Sequence, residues 1–198
     1  MVVLPPLRHR PAGGLRRLLL PCVWILLVAG CATPQAPADR AYSGRFSAVA
    51  TQGERRESVS GRFSLEVRGA RQTIDLATPL GTTMARIEVG PDGARATGPQ
   101  MQEVRGDNPD ALTEQLLGWR LPVSGLSDWI EGRPAPARFA RVERSGDRPT
   151  LIEQDGWIVT LADYFDGTRR PRRMVLERAA SPPAPAVVLR LVMDDPAG

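Results

Sequence analysis

The chain has 198 residues with 26 basic and 22 acidic side chains, a formal net charge of +4, and at this length one domain is the default expectation. Every basic residue is Arg; Arg8, Arg10, Arg16 and Arg17 precede Cys31 in an acid-free stretch, so the remainder balances 22 Arg against 22 acids. The only His (His9) and both cysteines (Cys22, Cys31) also lie in that stretch, which excludes His-based acid/base pairs, zinc sites of the usual ligand types, cysteine nucleophiles and lysine Schiff bases from the rest. The sequence pI near 10.0 therefore reports the leader, and no basic stripe on the remainder points to nucleic acid.

The first thirty residues carry Arg8, His9, Arg10, Arg16 and Arg17 ahead of an apolar run over 18–30, broken only by Pro21. At about 13 residues the run is too short to cross a ~30 Å bilayer core as a helix, but it suits a secretory h-region. It ends Val28-Ala29-Gly30-Cys31. Small residues before a cysteine fit a signal peptidase cleft, and the spacing resembles the lipobox of bacterial lipoproteins, in which that cysteine is lipidated and becomes residue one. An ordinary cleaved signal with an incidental Cys is the alternative. Ala32 stands where the resemblance associates Asp with inner-membrane retention, so an outer-membrane destination is expected. Residues 1–30 thus read as signal peptide, 31–41 as lipidated Cys31 with a Pro/Ala-rich tether, and 42–198 as one β-domain. Two or three acyl chains on Cys31 would hold firmly, because stable attachment needs at least two signals.

Beyond the tether the pattern is mostly period two. In Arg62-Phe63-Ser64-Leu65-Glu66-Val67-Arg68 the apolar residues share one face, as a half-buried antiparallel strand requires. Similar strands are predicted over 45–50, 72–78, 85–89, 157–164, 172–178 and 187–193, separated by turn signals at Gly53, Gly69, Pro91-Asp92-Gly93, Asp155-Gly156 and Asp166-Gly167.

The middle departs from that rhythm. Asn108-Pro109-Asp110 offers an N-cap, a proline at the first helical position and an early acid; Ala111, Leu112, Gln115 and Leu116 follow at helical spacing until Gly118. A second short helix is predicted over 124–131, with Leu126, Trp129 and Ile130 at i, i+3, i+4 before Gly132 and Pro134 end it. Two helices within an antiparallel sheet imply α+β, mainly β, architecture with the helices covering one face or one end. Ser181-Pro182-Pro183-Ala184-Pro185 reads as a loop between the last two strands.

Candidate chemistry is sparse. Asp128 with Glu131, and Asp194-Asp195, have spacings ordinary for solvated surface, and no glycine cluster has phosphate-cradle spacing. Arg169-Arg170 and Arg172-Arg173 bracket Pro171 as a solvated strand start or a contact for headgroups or an acidic partner. Phe46, Phe63, Trp119, Trp129 and Trp157 fall on inward faces or in the helical insert. They build a core by default, but many strands and little helix make a curved sheet around an apolar space plausible. Leu80 sits at the tip of Thr78-Pro79-Leu80-Gly81-Thr82-Thr83, projecting from a loop.

The lipobox, this loop, the insert Gly118-Trp119-Arg120-Leu121-Pro122-Val123 with Leu126, Trp129-Ile130, Gly132 and Pro134, and Gln154-Asp155-Gly156-Trp157-Ile158-Val159 with Tyr164 together resemble the LolB family. The resemblance runs from Cys31 to about Met193. It implies an unclosed antiparallel half-barrel of about eleven strands with a short helical lid over an apolar cavity, shared with the periplasmic carrier family LolA. It implies a non-enzymatic receptor without cofactor, anchored in the outer membrane and facing the periplasm. That receptor takes the acyl chains of cargo lipoproteins from a LolA-type carrier and inserts the cargo into the inner leaflet. By motif match, Pro79, Leu80 and Gly81 form the membrane-insertion loop. Cavity or lid candidates are Phe46, Phe63, Leu65, Ile74, Leu76, Leu116, Trp119, Leu126, Trp129, Ile130 and Trp157. A monomer without nucleic acid is expected. A different class, a structural or assembly lipoprotein, would use the same anchored domain with a solid core; a lipid-modifying hydrolase lacks both His and Lys.

Overall fold

Residues 37–99 and 101–195 are described by a computed structural model; Cys31, the signal sequence and most of the tether fall outside them. The chain folds as a meander through β1 (Arg40–Gln52), β2 (Arg55–Arg68), β3 (Arg71–Ala77), β4 (Thr83–Gly90), β5 (Gly93–Gly98) and β6 (Met101–Gly106). Two helices follow, α1 (Pro109–Leu117) and α2 (Val123–Trp129). A second meander then runs through β7 (Ala140–Ser145), β8 (Arg148–Gln154), β9 (Trp157–Tyr164), β10 (Pro171–Arg178) and β11 (Ala186–Met193).

All eleven strands form one antiparallel sheet in the order β6-β5-β4-β3-β2-β1-β11-β10-β9-β8-β7. The meanders join in the middle, where Gly44 faces Met193 and Thr51 faces Ala186. Edge strands β6 and β7 do not pair, so the barrel stays unclosed and residues 107–139 bridge the gap. The expected half-barrel of about eleven strands with two helices is the fold. β1 starts earlier than the expected domain boundary: Arg40 and Ala41 pair with Val67 and Glu66.

Strict alternation puts one face inside. Tyr42, Phe46, Ala48 and Ala50 of β1, Phe63, Leu65 and Val67 of β2, and Val187, Leu189, Leu191 and Met193 of β11 are all buried, as period-two side-chain geometry demands. Arginine pairs with acids across strands on the outer face, as in Arg86 on Asp75 at 2.6 Å and Arg95 on Glu88. Such exposed pairs contribute at most ~1 kcal/mol each, so inward apolar packing carries the fold.

Two inward positions are glycine for a packing reason. Gly44 stands opposite Phe63, and Phe46 opposite Gly61, in the β1–β2 ladder. A Cβ on Gly44 would collide with the Val192 carbonyl oxygen and lie 2.8 Å from Phe63 Cε1, and one on Gly61 would collide with the Ala77 carbonyl oxygen and lie 3.0 Å from Phe46 Cε1. Each ring lies over the glycine of the neighbouring strand, where a side chain would lift it from the sheet.

Candidate functional site

Between the sheet and the helical insert lies a hollow of about 130 Å³. Its sheet side is Phe46, Val59, Phe63, Ile74, Leu76, Met84, Ala85, Ile87, Leu189 and Leu191, and its insert side is Leu117, Trp119, Leu121, Pro122, Val123 and Leu126. Every lining residue is apolar. A dry cavity of ~150 Å³ holds one benzene-sized guest, so the space as it stands takes a segment of an acyl chain and not a whole one. Leu117 and Trp119 also border a polar recess with Gln52, Arg55 and Glu57. An apolar chamber thus adjoins a polar vestibule across Trp119, at the end of the sheet where β1 finishes.

The insert is built as a self-contained clasp. Asn108 accepts from the backbone N–H groups of Asp110 and Ala111 at 2.9 and 3.2 Å, and Gly118 ends α1 at φ 77°, a left-handed position glycine adopts without strain. Asp110 then accepts from the Ser124 N–H and hydroxyl, both at 2.9 Å, capping the first turn of α2. The Thr113 hydroxyl donates to the Asp110 carbonyl and accepts from the Leu121 N–H, both at 2.8 Å. Burial pushes the Asp110 carboxyl above its ordinary pKa, against the lowering effect of the Ser124 bonds, Arg138 and Arg120.

The same insert is fastened to the sheet only through its second half. Gln154, 3% exposed at the end of β8, accepts from Trp129 Nε1 at 2.9 Å and from the Ala135 N–H at 2.8 Å, and donates to the Ala135 carbonyl at 2.9 Å. The Tyr42 hydroxyl donates to Glu131 at 2.6 Å, and Arg170 stacks over the Tyr42 ring at 5.1 Å. Burial, then Glu131, pushes the Tyr42 pKa up to about 12, so this donor persists well into alkaline pH. Arg138 pairs with Asp155 at 2.5 Å. Among the described residues, the hydrogen bonds of 109–124 stay within the insert itself; α1 and the start of α2 meet the sheet through apolar contact alone.

Leu80 occupies the β3–β4 turn and is 97% exposed. The turn closes on itself: the Gly81 N–H donates to the Thr78 carbonyl at 2.9 Å, the Thr78 N–H to the Thr82 carbonyl at 2.8 Å, and the Thr82 N–H to the Thr78 hydroxyl at 3.1 Å. Pro79 and Gly81 hold the second and fourth positions such a turn favours. A rigid turn therefore holds an unsupported leucine in solvent.

A family model described as "Outer membrane lipoprotein LolB" matches residues 39–195. Outer-membrane lipoprotein LolB of Cupriavidus pinatubonensis is 38% identical over 90% of this chain and 94% of its own. LolB of Bordetella petrii is 40% identical over 86% and 88%. The chain belongs to the LolB family. As a member of this family it is an outer-membrane lipoprotein and not an enzyme. Among solved structures, a LolA superfamily protein from Nitrosomonas europaea aligns with 81% of this chain and 86% of its own at a TM-score of 0.43 and 13% identity.

In this LolB-family chain, six of the cavity and lid candidates, Phe46, Phe63, Ile74, Leu76, Trp119 and Leu126, meet at the hollow. Five do not line it. Leu65 shares the inward parity of Phe63 but is fully enclosed by its neighbours, because parity fixes the face of a strand and not the depth at which the insert covers it. Trp129 and Ile130 are buried at the root of the insert, where Trp129 packs over Gly125 and bonds Gln154. Leu116 packs against the core from the flank of α1; its neighbour Leu117 takes the lining position. Trp157 is buried at the start of β9 with Arg178 over its ring at 5.9 Å.

Sequence reasoning missed Val59, Met84, Ala85, Ile87, Leu121, Pro122 and Val123 as lining residues, and also Leu189 and Leu191 on a strand it did predict. Arg170, expected on a solvated strand start or in a headgroup contact, is instead half-buried against Tyr42 and Phe165. Among the described residues no group of three or more His, Cys, Asp or Glu could hold a metal ion.

Proposed function

We propose that this protein is the outer-membrane receptor for lipoproteins delivered by a LolA-type periplasmic carrier. It takes their acyl chains between sheet and insert and inserts the cargo into the inner leaflet, while lipidated Cys31 holds it to the membrane. The observation that carries the reading is the wholly apolar hollow beneath a helical hairpin whose residues 109–124, among the described residues, make no hydrogen bond to the sheet, Trp129 at its root being the tie to Gln154. A solid interior would have marked a scaffold.

Hiding a chain of ~16 carbons from water is worth roughly 12 kcal/mol at ~0.8 per CH₂, so cargo must pass from one apolar cavity to another and not through solvent. The resting space is too small for such a chain, and acceptance requires the α1–α2 hairpin to lift. Lifting trades apolar contact with the sheet for apolar contact with the guest, and the internal bonds of Asp110, Ser124 and Thr113 let the hairpin move as one piece. The Gln154 and Tyr42 clamps stay closed as its root. The polar vestibule beside Trp119 suits the glyceryl and peptide portion of the cargo while the tails lie inside.

Release falls to Leu80, whose exposed side chain on a rigid turn perturbs or enters the acceptor leaflet. The test is reconstitution with loaded carrier and acceptor vesicles. Leu80→Glu should still strip cargo from the carrier but fail to deliver it; normal delivery by that variant would refute the assignment.

A further inference from the structure

Because every strand pair is antiparallel, the turns divide between two ends of the sheet. At the end where β1 finishes lie the β1–β2, β3–β4, β5–β6, β8–β9 and β10–β11 turns, and both β7 and β9 begin there. The large apolar side chains exposed among the described residues are Leu80 at 97%, Phe139 at 91% and Ile158 at 45%. All three belong to this end: Leu80 in the β3–β4 turn, Phe139 just before β7, and Ile158 second in β9. Phe139 and Ile158 border one shallow recess with Asp155, whose carboxylate is neutralised by Arg138 at 2.5 Å. The opposite end presents charge of both signs in and beside its turns, exposed Asp92, Asp107, Asp147 and Asp166 with exposed Arg71, Arg148, Arg169 and Arg172, and no exposed large apolar side chain among the described residues.

We infer that Phe139 and Ile158 form a second bilayer contact, which works with Leu80 to seat this end of the domain on the membrane. The inference rests on the reading of Leu80 as the bilayer-facing leucine. A single apolar side chain gives a pivot; a second point on the same rim fixes an orientation. Leu80 and the Phe139–Ile158 pair come from opposite halves of the sheet, so together they make a rim suited to a flat surface. The other end offers no exposed large apolar side chain among the described residues to compete for the bilayer. The vestibule of Gln52, Arg55 and Glu57 opens at the same end, so seating it brings the mouth of the apolar chamber to the lipid and lets tails leave without crossing water.

The test uses the mature chain from residue 31 carrying Cys31→Ala, which lacks both the leader and the acyl anchor, with sedimentable vesicles of phosphatidylethanolamine and phosphatidylglycerol. Burial of each of these side chains is worth tenfold or more in partition. Phe139→Ser with Ile158→Ser should weaken vesicle binding at least about tenfold, multiplying the loss from Leu80→Ser, while Phe139→Trp keeps it. Thermal midpoint and binding of a fluorescent fatty acid should not change in the Phe139 and Ile158 variants. If Leu80→Ser loses vesicles and the double variant binds like its parent, the second contact is refuted and the surface belongs to a protein partner. If the double variant loses vesicles and Leu80→Ser does not, the patch stands and the Leu80 reading fails. Loss in neither overturns both.

Discussion

Phe63 reaches over Gly44, its directly opposed partner in the β1–β2 ladder, with a ring carbon 2.8 Å from where a Cβ on that glycine would stand. Phe46 and Gly61 repeat the arrangement two residues along the ladder, and both rings line the hollow. Two missing side chains therefore leave room for rings that line the hollow. Gly44→Ala and Gly61→Ala should each tilt a ring into the space and press on backbone. Denaturant unfolding should register a loss of about 1–3 kcal/mol, as for overpacking, and titration with a fluorescent fatty acid should register weaker binding.

Leu76 and Leu65 face the same side of the sheet with different surroundings. Leu76 borders the hollow and is partly exposed to it, so Leu76→Gln should weaken fatty-acid binding while the fold survives. Leu65 is fully buried and does not line the hollow, and Leu65→Gln buries an amide without partners, costing about 1–3 kcal/mol for the polar group on top of lost packing. Parallel melting and binding curves separate the two. Equal loss of binding in both at unchanged melting temperature would contradict this division of chamber from core.

Gln154 holds the root of the insert by three short hydrogen bonds. Gln154→Leu keeps the volume and strands the indole N–H of Trp129 and both backbone groups of Ala135, a cost of about 2–4 kcal/mol from groups left unsatisfied. Hydrogen exchange should speed up over 129–138, and a fatty-acid probe should enter faster because the root no longer holds. Unchanged exchange there would mean that packing alone fixes the insert.

Asp110 gives the clasp a defined pH response. Its folded-state pKa is raised by burial, so its contribution to stability is complete below the ordinary carboxylate value and is lost as pH rises through the raised one. Asp110→Asn keeps an acceptor for the Ser124 N–H and removes the buried charge. Measured by denaturant unfolding between about pH 4 and 7, the variant should gain on the parent as pH increases. A difference that shrinks with rising pH would reverse the sign and the cause.

Helix α1 was legible because its signals are local: the Asn108 cap, Pro109, and Gly118 at the left-handed stop each act within one turn. Seven strands were legible from alternation. β5, β6, β7 and β8 were not, because β5 offers only Ala94 and Ala96 as inward residues, β6 and β7 are dense in charge, and β8 carries Pro149. Their number came from the family resemblance. Inward parity identified Phe46, Phe63, Ile74 and Leu76, but which inward residues border empty space depends on how far the insert reaches over the sheet, a long-range property without a local signature. The clamps of Gln154 and Tyr42 join residues 19 and 89 positions apart, and single side chains at such separations leave no periodicity to read.

The gap between β6 and β7 has a mechanical meaning. A closed barrel has a bore fixed by strand number and stagger, and widening it would break a ladder. Here the two halves can uncurl about the β1–β11 seam with every interstrand bond intact. Under the proposed receptor role, a receptacle of this form would adjust its girth to guests carrying different numbers of tails, and one protein would serve a mixed clientele.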